Sequence, residues 1–429
     1  MEEINQPEWL KKGSIDEVKF CQAFRQKHDV ISADGAFFTR EGRISDERIL
    51  RKWIYDMISE HVGANVSRKV ESLLAALRLD SSRELANSTR LIHVANGTYD
   101  LLGEFSPYKQ YCRYRLNASY DPMKPYPQLW LDFLNDLLEP EDILTLQEFM
   151  GYCMIPTTIA QRMLIITGRG GEGKSRIGVV MKQLFGNSMS IGSLSKVETN
   201  RFARADLEHL LVMVDDDLKL EALPDTNHIK SIITAEVPMD MERKGEQSYQ
   251  GKLNVRFLAF GNDTLQALHD RSYGFFRRQI ILTAKPIRPD RGDNPFLAAN
   301  LKKDIDGIFL WCLAGLHRLM DNNFQFTISE KTKANLQRSM ESGNNVLQFM
   351  ESQGYFCADS TETVTSRLFY SIYRNWCEDN MLQPLTPKSF WSFLMQNQEK
   401  YHIQSTNKVH IGQGKYARGF RGIRALPRL

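Results

Sequence analysis

The chain has 429 residues, a net charge of +3, and charged side chains at 25% of its positions. It is longer than one ordinary domain, which predicts about three domains. It contains no apolar run near the roughly 18 residues that a membrane span needs, and no signal peptide begins it, so we expect a cytoplasmic protein without membrane partners.

The six cysteines stand singly, without a C-x-x-C pair and without a histidine at zinc-ligand spacing. We therefore expect neither a structural zinc nor a disulfide framework. Buried free thiols are the interpretation that this pattern favours.

The N-terminal part, residues 1–125, has a mainly helical pattern. The run AFFTREGRI reads as a short hairpin, and Asp46 stands at the start of the next helical pattern. Later, the run LIHVANGTYDLLGEF places an Asn-Gly turn between two extended segments. A proline-punctuated connector predicts a boundary near Pro125.

In residues 126–290 the pattern changes to short, continuous apolar runs, RMLIITG, LLVMVDDD, NVRFLAFGN and RRQIILT, separated by helical or loop segments. Continuous runs indicate strands buried on both faces of a mainly parallel sheet, so the fold class is α/β. Residues 291–344 read as a helical connector or lid. Residues 345–429 read as three helices followed by a hairpin, a winged-helix pattern.

Residues 168–175 read GRGGEGKS and fit the phosphate-loop pattern G-x-x-x-x-G-K-[ST], between an apolar strand and a helix. Here glycines allow backbone N–H groups to surround an anion, Lys174 reaches the terminal phosphates, and the Ser175 hydroxyl holds Mg²⁺. The alternative is a glycine-rich turn that only resembles the motif. The predicted ATP contacts are Gly168, Gly170, Gly171, Glu172, Gly173, Lys174, Ser175 and Arg176.

Asp215, Asp216 and Asp217 end the next apolar run. Carboxylates at a strand end suit Mg²⁺ and can polarise the attacking water. We assign metal binding to Asp215 and Asp216 with Ser175, and catalysis to Asp216 and Asp217 with Lys174, although spacing alone does not divide these roles. An acidic turn is the alternative.

Asn262 ends a third apolar run, where an amide can hold the lytic water and sense the γ-phosphate. Alone it would be a turn residue. Arg277 and Arg278 precede the last run and are candidates for an arginine finger that acts on a neighbouring subunit's nucleotide. A surface charge pair is the alternative.

The order of these motifs between Met163 and Leu282 resembles that of the superfamily 3 helicases, which are ring-forming AAA+ ATPases. The closer resemblance is to the poxvirus and phage/plasmid primase-helicase family. The pattern of that family is also seen in the segments HVANGTYDL, LNASYDP and LQEFMGYCM. The likeness covers roughly residues 60–286. Many relatives have Asp-Glu or one Asp where this chain has three aspartates.

The resemblance implies an ATP-dependent, Mg²⁺-requiring helicase that forms a hexamer or similar ring. It would move 3′ to 5′ on single-stranded or forked DNA and replicate a phage, plasmid or other mobile element. A separate primase would be a partner, because the roughly 90 preceding residues are too few for a primase domain.

In that family a hairpin before the Asn-ended strand carries basic residues into the ring channel; Lys230, Arg243 and Lys244 stand there. A moving lysine can grip phosphates without reading bases. The alternative for Lys244 is an ordinary charged turn.

From Thr386 to Leu429 there are eight Lys/Arg and one acid. This asymmetry indicates DNA binding by the last unit, with Lys388, Lys415, Arg418 and Arg421 as its contacts. The alternatives are a solvated tail or a module that packs against a ring neighbour, with Phe390, Trp391 and Phe393 as its core.

Two other functions remain compatible with the sequence. One is an AAA+ origin-binding initiator or switch that uses ATP without processive unwinding. The other is a nucleotide-binding regulator or scaffold without turnover, against which the aspartates argue.

Overall fold

The computed structural model describes residues 7–426 except 12, 86, 219–225, 246, 263–272, 289–291, 293, 344, 381 and 383. These residues form a mixed α/β structure around a five-stranded parallel sheet. Within this described part of the chain, no helix combines the length and the apolar character needed to cross a membrane.

The N-terminal part consists of three helices with short antiparallel strands between them. Asp16 and Asp46 begin the first two helices because their carboxylates accept hydrogen bonds from the backbone N–H groups of Lys19 and Arg48. Apolar side chains of all three helices share one core. The predicted hairpin and the predicted capped helix are both present. The elements are β1 (Leu10–Lys11), β2 (Ser14–Ile15), α1 (Glu17–His28), β3 (Ile31–Ala33), β4 (Ala36–Thr39), β5 (Gly42–Ile44), α2 (Glu47–Ile58) and α3 (Val66–Asp80).

A small antiparallel sheet and two helices follow: β6 (Leu91–Val94), β7 (Gly97–Asp100), β8 (Phe105–Ser106), α4 (Gln128–Leu137) and α5 (Pro140–Tyr152). The Asn-Gly turn lies between β6 and β7, where Val94 pairs with Gly97. Ile92 and Val94 belong to the same core as the central sheet. The chain from β6 onward therefore packs with that sheet, and the boundary near Pro125 stays a prediction.

The central sheet has the order β10-β11-β14-β9-β15, with every neighbouring pair parallel. The four predicted runs form β9, β11, β14 and β15. The sequence did not predict β10, a three-residue strand at the edge of the sheet. The elements are β9 (Met163–Thr167), α6 (Ser175–Phe185), a 3-10 turn (Gly186–Ser188), β10 (Met189–Ile191), α7 (Leu194–Thr199), α8 (Arg201–Ala205), β11 (Val212–Asp215), α9 (Asn227–Thr234), β12 (Met239–Met241), β13 (Tyr249–Gly251), β14 (Arg256–Gly261), α10 (Tyr273–Phe276) and β15 (Gln279–Thr283).

Three helices follow the sheet: α11 (Leu297–Lys303), α12 (Ile305–Asp321) and α13 (Glu330–Gly343). Helix α12 crosses α5 at glycines on both helices, Gly151 and Gly315. A Cβ atom on Gly315 would lie 2.5 Å from the carbonyl oxygen of Gln147, so the close crossing requires glycine. The predicted connector therefore packs tightly against the sheet unit. Its predicted start after residue 290 lies outside the described residues.

Strand β9 shows why the central strands are apolar throughout. Leu164 and Ile166 lie in a core with α4, α5, α6 and α12, whereas Met163 and Ile165 lie in a second core with α7 and α9. Consecutive side chains of a strand point to opposite faces, and both faces of this sheet are covered. The candidate site lies at the carboxyl edge of this sheet.

The C-terminal unit contains three helices and an antiparallel sheet of order β16-β18-β17. Its core is aromatic, and Phe349, Phe369, Tyr373 and Phe390 contact one another. The three helices were predicted, but β16 was not, because Val364 is its one buried residue. The elements are α14 (Asn345–Glu351), β16 (Phe356–Thr365), α15 (Ser366–Asp379), α16 (Pro387–Gln396), β17 (Gln404–His410) and β18 (Tyr416–Ala425).

Candidate nucleotide site

The phosphate loop joins β9 to α6 at the carboxyl edge of the sheet. Strand β9 ends at Thr167, and α6 begins at Ser175. Between them, Gly170, Gly171 and Gly173 have φ angles of +101°, +84° and +100°. Residues with side chains rarely adopt this conformation, so the loop can follow its path only with glycine at these positions. The motif therefore lies in the strand, loop and helix setting that the sequence predicts.

A carboxylate from the loop itself lies at the centre of the loop. Glu172 accepts hydrogen bonds from the backbone N–H groups of Arg169 and Gly170, the latter at 3.0 Å, and from Lys174 Nζ at 2.7 Å. Glu172 is 3% exposed and Lys174 is 7% exposed. Burial opposes ionisation of Glu172, but the hydrogen bonds from Lys174 and the loop backbone outweigh it, so the pKa of Glu172 is lowered. The loop is thus arranged to bind an anion.

Of the three aspartates at the end of β11, one has a buried side chain and two have exposed side chains. Asp215 is buried, and its Oδ2 accepts a hydrogen bond of 2.8 Å from the backbone N–H of Leu194. Burial raises the pKa of Asp215, partly offset by that hydrogen bond. Asp216 and Asp217 are exposed. The Asp215 carboxylate is therefore anchored to the start of α7, whereas the side chains of Asp216 and Asp217 are exposed.

Asn262 follows β14, which lies between β11 and β9 in the sheet. The backbone N–H of Gly168 donates to Gly261 O at 3.1 Å, so this strand end contacts the start of the phosphate loop. A Cβ atom on Gly170 would lie 3.8 Å from Asn262 Oδ1. Residues far apart in sequence are brought together because parallel strands end at one edge.

One cavity of about 440 Å³ is lined by ten of the predicted nucleotide, metal and catalytic residues, whereas Gly168 and Asp215 are not part of its described wall. Its wall includes Gly170, Gly171, Glu172, Gly173, Lys174, Ser175, Arg176, Asp216, Asp217 and Asn262. The Ser175 hydroxyl and the carboxylates of Asp216 and Asp217 are hard oxygen donors of the kind that Mg²⁺ binds. Among the described residues, no group of three or more His, Cys, Asp or Glu forms a ready metal cage. The three oxygen donors are of the type that would fit a magnesium ion.

A second cavity of about 360 Å³ shares Gly171, Glu172, Gly173 and Arg176 with the first. Its wall adds Asp132 and Asp136 of α4 and Arg288, which donates to Asp136 at 3.0 Å. Leu129, Phe133, Leu137 and Leu297 supply its apolar surface. These residues cannot be recognised from the sequence, because an acidic pair on an amphipathic helix forms no motif.

The Arg-Arg pair lies away from the phosphate loop of its own chain. Arg278 donates to Thr234 Oγ1 through Nε at 3.0 Å and through Nη2 at 2.8 Å. It lines a separate cavity of about 720 Å³ together with Lys230. Arg277 is exposed. Neither arginine belongs to the described wall of the phosphate-loop cavity. Two predicted contacts of different kinds, Lys230 and Arg278, therefore share one surface.

The predicted hairpin before β14 is formed by β12 and β13, with Met241 paired to Tyr249. Arg243 is half-buried at its base, where it forms an ion pair with Glu208 and lies over the ring of Tyr249. Lys244 is exposed in the connecting segment, next to Gly245. Lys230, which was predicted to lie in this hairpin, lies in α9 instead. On the hairpin itself, Lys244 is exposed to solvent and Arg243 contacts Glu208 and Tyr249 at the base.

The predicted DNA contacts of the C-terminal unit are all exposed: Lys388, Lys415, Arg418 and Arg421. Lys388 lies in the first turn of α16, and the other three lie in or near the β17–β18 hairpin. Phe390 is fully buried, and Trp391 stacks on Phe420 with ring centroids 5.7 Å apart. The aromatic residues therefore build the core of the unit, and the basic residues cover its surface.

A family model described as a family of unknown function, DUF5906, matches residues 166–278. No curated protein matches the chain. Among solved structures, the A form apo structure of the NrS-1 C terminal region is 13% identical, with a TM-score of 0.51, covering 94% of this chain and 98% of that chain. Another apo structure of that region is 11% identical, with a TM-score of 0.53, covering 95% and 99%. The chain thus resembles the NrS-1 C terminal region in fold along nearly its whole length.

Proposed function

We propose that this protein is an ATP-driven DNA helicase of the superfamily 3, AAA+ type, which acts as a ring in the replication of a phage, plasmid or other mobile element. One observation carries the proposal: the glycine loop, two aspartates and Asn262, which are separated in sequence, line one cavity at the carboxyl edge of a parallel sheet. This combination suits the binding and hydrolysis of a nucleoside triphosphate.

Each group has a role in hydrolysis that follows from its position. Lys174 and the loop N–H groups neutralise charge on the transferred phosphate. Asp217 accepts a proton from water as it attacks the γ-phosphorus and the bond to the ADP oxygen breaks, and Asn262 orients that water. Ser175 and Asp216 would hold Mg²⁺, which supplies charge neutralisation at the phosphates.

A ring assembly gives the Arg-Arg pair a function. Because Arg277 and Arg278 lie away from the phosphate loop of their own chain, they are suited to act on the nucleotide of a neighbouring subunit. Lys230 lines the same cavity as Arg278. A change in nucleotide contact at this surface could thus move the neighbouring hairpin, whose exposed Lys244 would grip DNA phosphates.

The C-terminal unit is proposed as a winged-helix DNA-binding domain. Its order of helix, strand, two helices and a terminal hairpin supports this interpretation, as do its exposed cations. Helix α16, with Lys388 at its start, would approach the DNA groove, while Lys415, Arg418 and Arg421 would contact phosphates. The likeness to the NrS-1 C terminal region concerns the fold of the chain as a whole.

ATP hydrolysis with and without single-stranded DNA tests the proposal. We expect Mg²⁺-dependent hydrolysis that DNA stimulates several-fold. Lys174→Ala should lower the rate at least about 100-fold, because the charge on the transferred phosphate then lacks its cation. Lys302→Ala removes an exposed lysine of α11 and should leave the rate unchanged.

The outcomes distinguish the candidate functions. Hydrolysis that DNA does not change contradicts a DNA motor. ATP binding without hydrolysis indicates a regulator or scaffold. DNA-stimulated hydrolysis without strand displacement indicates an origin-binding initiator or switch.

A further inference from the structure

We propose that the Glu172 carboxylate competes internally with the phosphates of an incoming nucleotide and thereby sets the affinity of the site. The inference rests on the proposed nucleotide binding and deepens it. From its position in the phosphate-loop motif, Glu172 is predicted to be one of the loop residues that contact ATP. Its geometry gives it an opposing role.

The donors that hold Glu172 are the donors that a phosphate needs. They are the backbone N–H groups of Arg169 and Gly170 and the ammonium of Lys174. Phosphate loops bind phosphate through such N–H groups and such a lysine. Both carboxylate oxygens of Glu172 lie 3.0 Å from Gly170 N, and one lies 2.7 Å from Lys174 Nζ. A phosphate oxygen cannot occupy the same position, so the carboxylate must leave first.

Charge makes the two anions exclude each other as well. The hydrogen bonds lower the pKa of Glu172 below its usual 4.5, so the side chain is ionised at neutral pH. A nucleotide triphosphate in the loop would place further negative charge within a few ångströms of a buried carboxylate, and like charges at such distances repel strongly. Nucleotide binding is therefore coupled to movement of Glu172.

The displaced side chain has space to move into. Glu172 lines both the phosphate-loop cavity and the second cavity. The wall of the second cavity includes Arg176 and Arg288, and Arg288 also pairs with Asp136 of the same wall. Rotation of the Glu172 side chain would carry its carboxylate from the loop toward these guanidinium groups. The site thus has two arrangements, one closed on its own carboxylate and one open to phosphate.

Competition predicts that neutralising Glu172 strengthens phosphate binding. Glu172→Gln keeps the shape of the side chain and removes its charge, which weakens the hydrogen bonds from Lys174 and the loop. We expect pyrophosphate and ATP to bind about tenfold more tightly to this variant at constant Mg²⁺, as measured by titration calorimetry. Glu351→Gln, which removes an exposed charge from the C-terminal unit, should bind both as the wild type does.

Glu172→Ala provides a second test, because it removes the competing anion without leaving an amide in the loop. It should also bind pyrophosphate more tightly than the wild type. Unchanged or weaker pyrophosphate binding in both variants would overturn the inference while leaving the nucleotide site in place. Failure of the folded wild type and of both variants to bind ATP or pyrophosphate would instead overturn the proposed nucleotide site and the inference with it.

Discussion

The phosphate-loop cavity and the C-terminal hairpin are both rich in charge, but they are built in opposite ways. In the cavity, Glu172 and Lys174 are buried and hydrogen-bonded to each other within a loop that requires glycine. On the hairpin, Lys415 and Arg418 are exposed on a surface whose core is formed by other residues. Ligand binding in the cavity would depend on the exact position of each atom. Ligand binding on the hairpin would depend on the sum of its charges.

This difference determines how each region should respond to substitution. A buried group with fixed partners cannot be replaced by a neighbour, so a single change in the cavity should have a large effect. Exposed cations contact DNA phosphates as mobile charges, so each contributes a small, salt-dependent part of the affinity. At the cavity, Asp215 is buried whereas Asp216 and Asp217 are exposed. These three consecutive residues therefore allow a sharper comparison between buried and exposed groups.

Among the aspartate and C-terminal variants, Asp217→Asn should have the largest effect, and that effect is on catalysis. Removing the proposed proton acceptor should lower kcat for ATP hydrolysis about 100-fold and change ATP affinity little, because the loop contacts remain. Steady-state kinetics and a direct binding titration separate the two quantities. A variant that keeps full kcat would assign the proton acceptor elsewhere.

A smaller effect is expected from the C-terminal double variant Lys415→Ala with Arg418→Ala. DNA affinity should fall about tenfold at physiological salt. The plot of log affinity against log salt should become less steep by about two units of slope, since two phosphate contacts are lost. ATP hydrolysis without DNA should not change. Lys302→Ala with Lys303→Ala removes equal charge from α11 and is the control. If both double variants lose affinity equally, the C-terminal unit has no special role.

The smallest effect is that of Asp215→Asn, which should change stability and leave hydrolysis within a few-fold of the wild type. Burial raises the pKa of Asp215 above its ordinary 3.8, so its carboxyl favours folding in acid and this contribution is lost as pH rises through the folded pKa. The amide oxygen of Asn can still accept from Leu194.

Asp215→Asn should therefore be more stable than the wild type at pH 7, by less than about 1 kcal/mol, because the hydrogen bond from Leu194 to the carboxylate offsets part of the cost of burial. The difference should disappear at acid pH. Urea unfolding at both pH values measures it. A loss of stability at pH 7 would contradict the expected cost of burying the ionised Asp215 carboxylate. A loss of hydrolysis comparable to that of Asp217→Asn would instead assign Asp215 to catalysis.

The sequence predicts those parts of the molecule that depend on local pattern. Continuous apolar runs indicate the four strands β9, β11, β14 and β15, because strands buried on both faces contain few polar residues. The strand-loop-helix context identifies the phosphate loop. Strands β10 and β16 were not predicted, since one is too short for a pattern and the other is mostly exposed.

The arrangement of side chains within the site is not readable from pattern. Strand alternation cannot separate the three aspartates, because β11 ends at Asp215 and the next two residues leave the strand. The Glu172 side chain points into the loop because it accepts hydrogen bonds from Arg169, Gly170 and Lys174. These hydrogen bonds exist only in the folded loop. Asp132 and Arg288 are more than a hundred residues apart in the sequence, and they line the second cavity together only because the chain folds and packs in this way.

Strand displacement on a forked DNA substrate tests the central claim most directly. The protein with ATP and Mg²⁺ should release the displaced strand, and Lys174→Ala should release none, while the Lys302→Ala control unwinds at the wild-type rate. Hydrolysis of ATP by the wild type without any release of the strand would contradict a helicase.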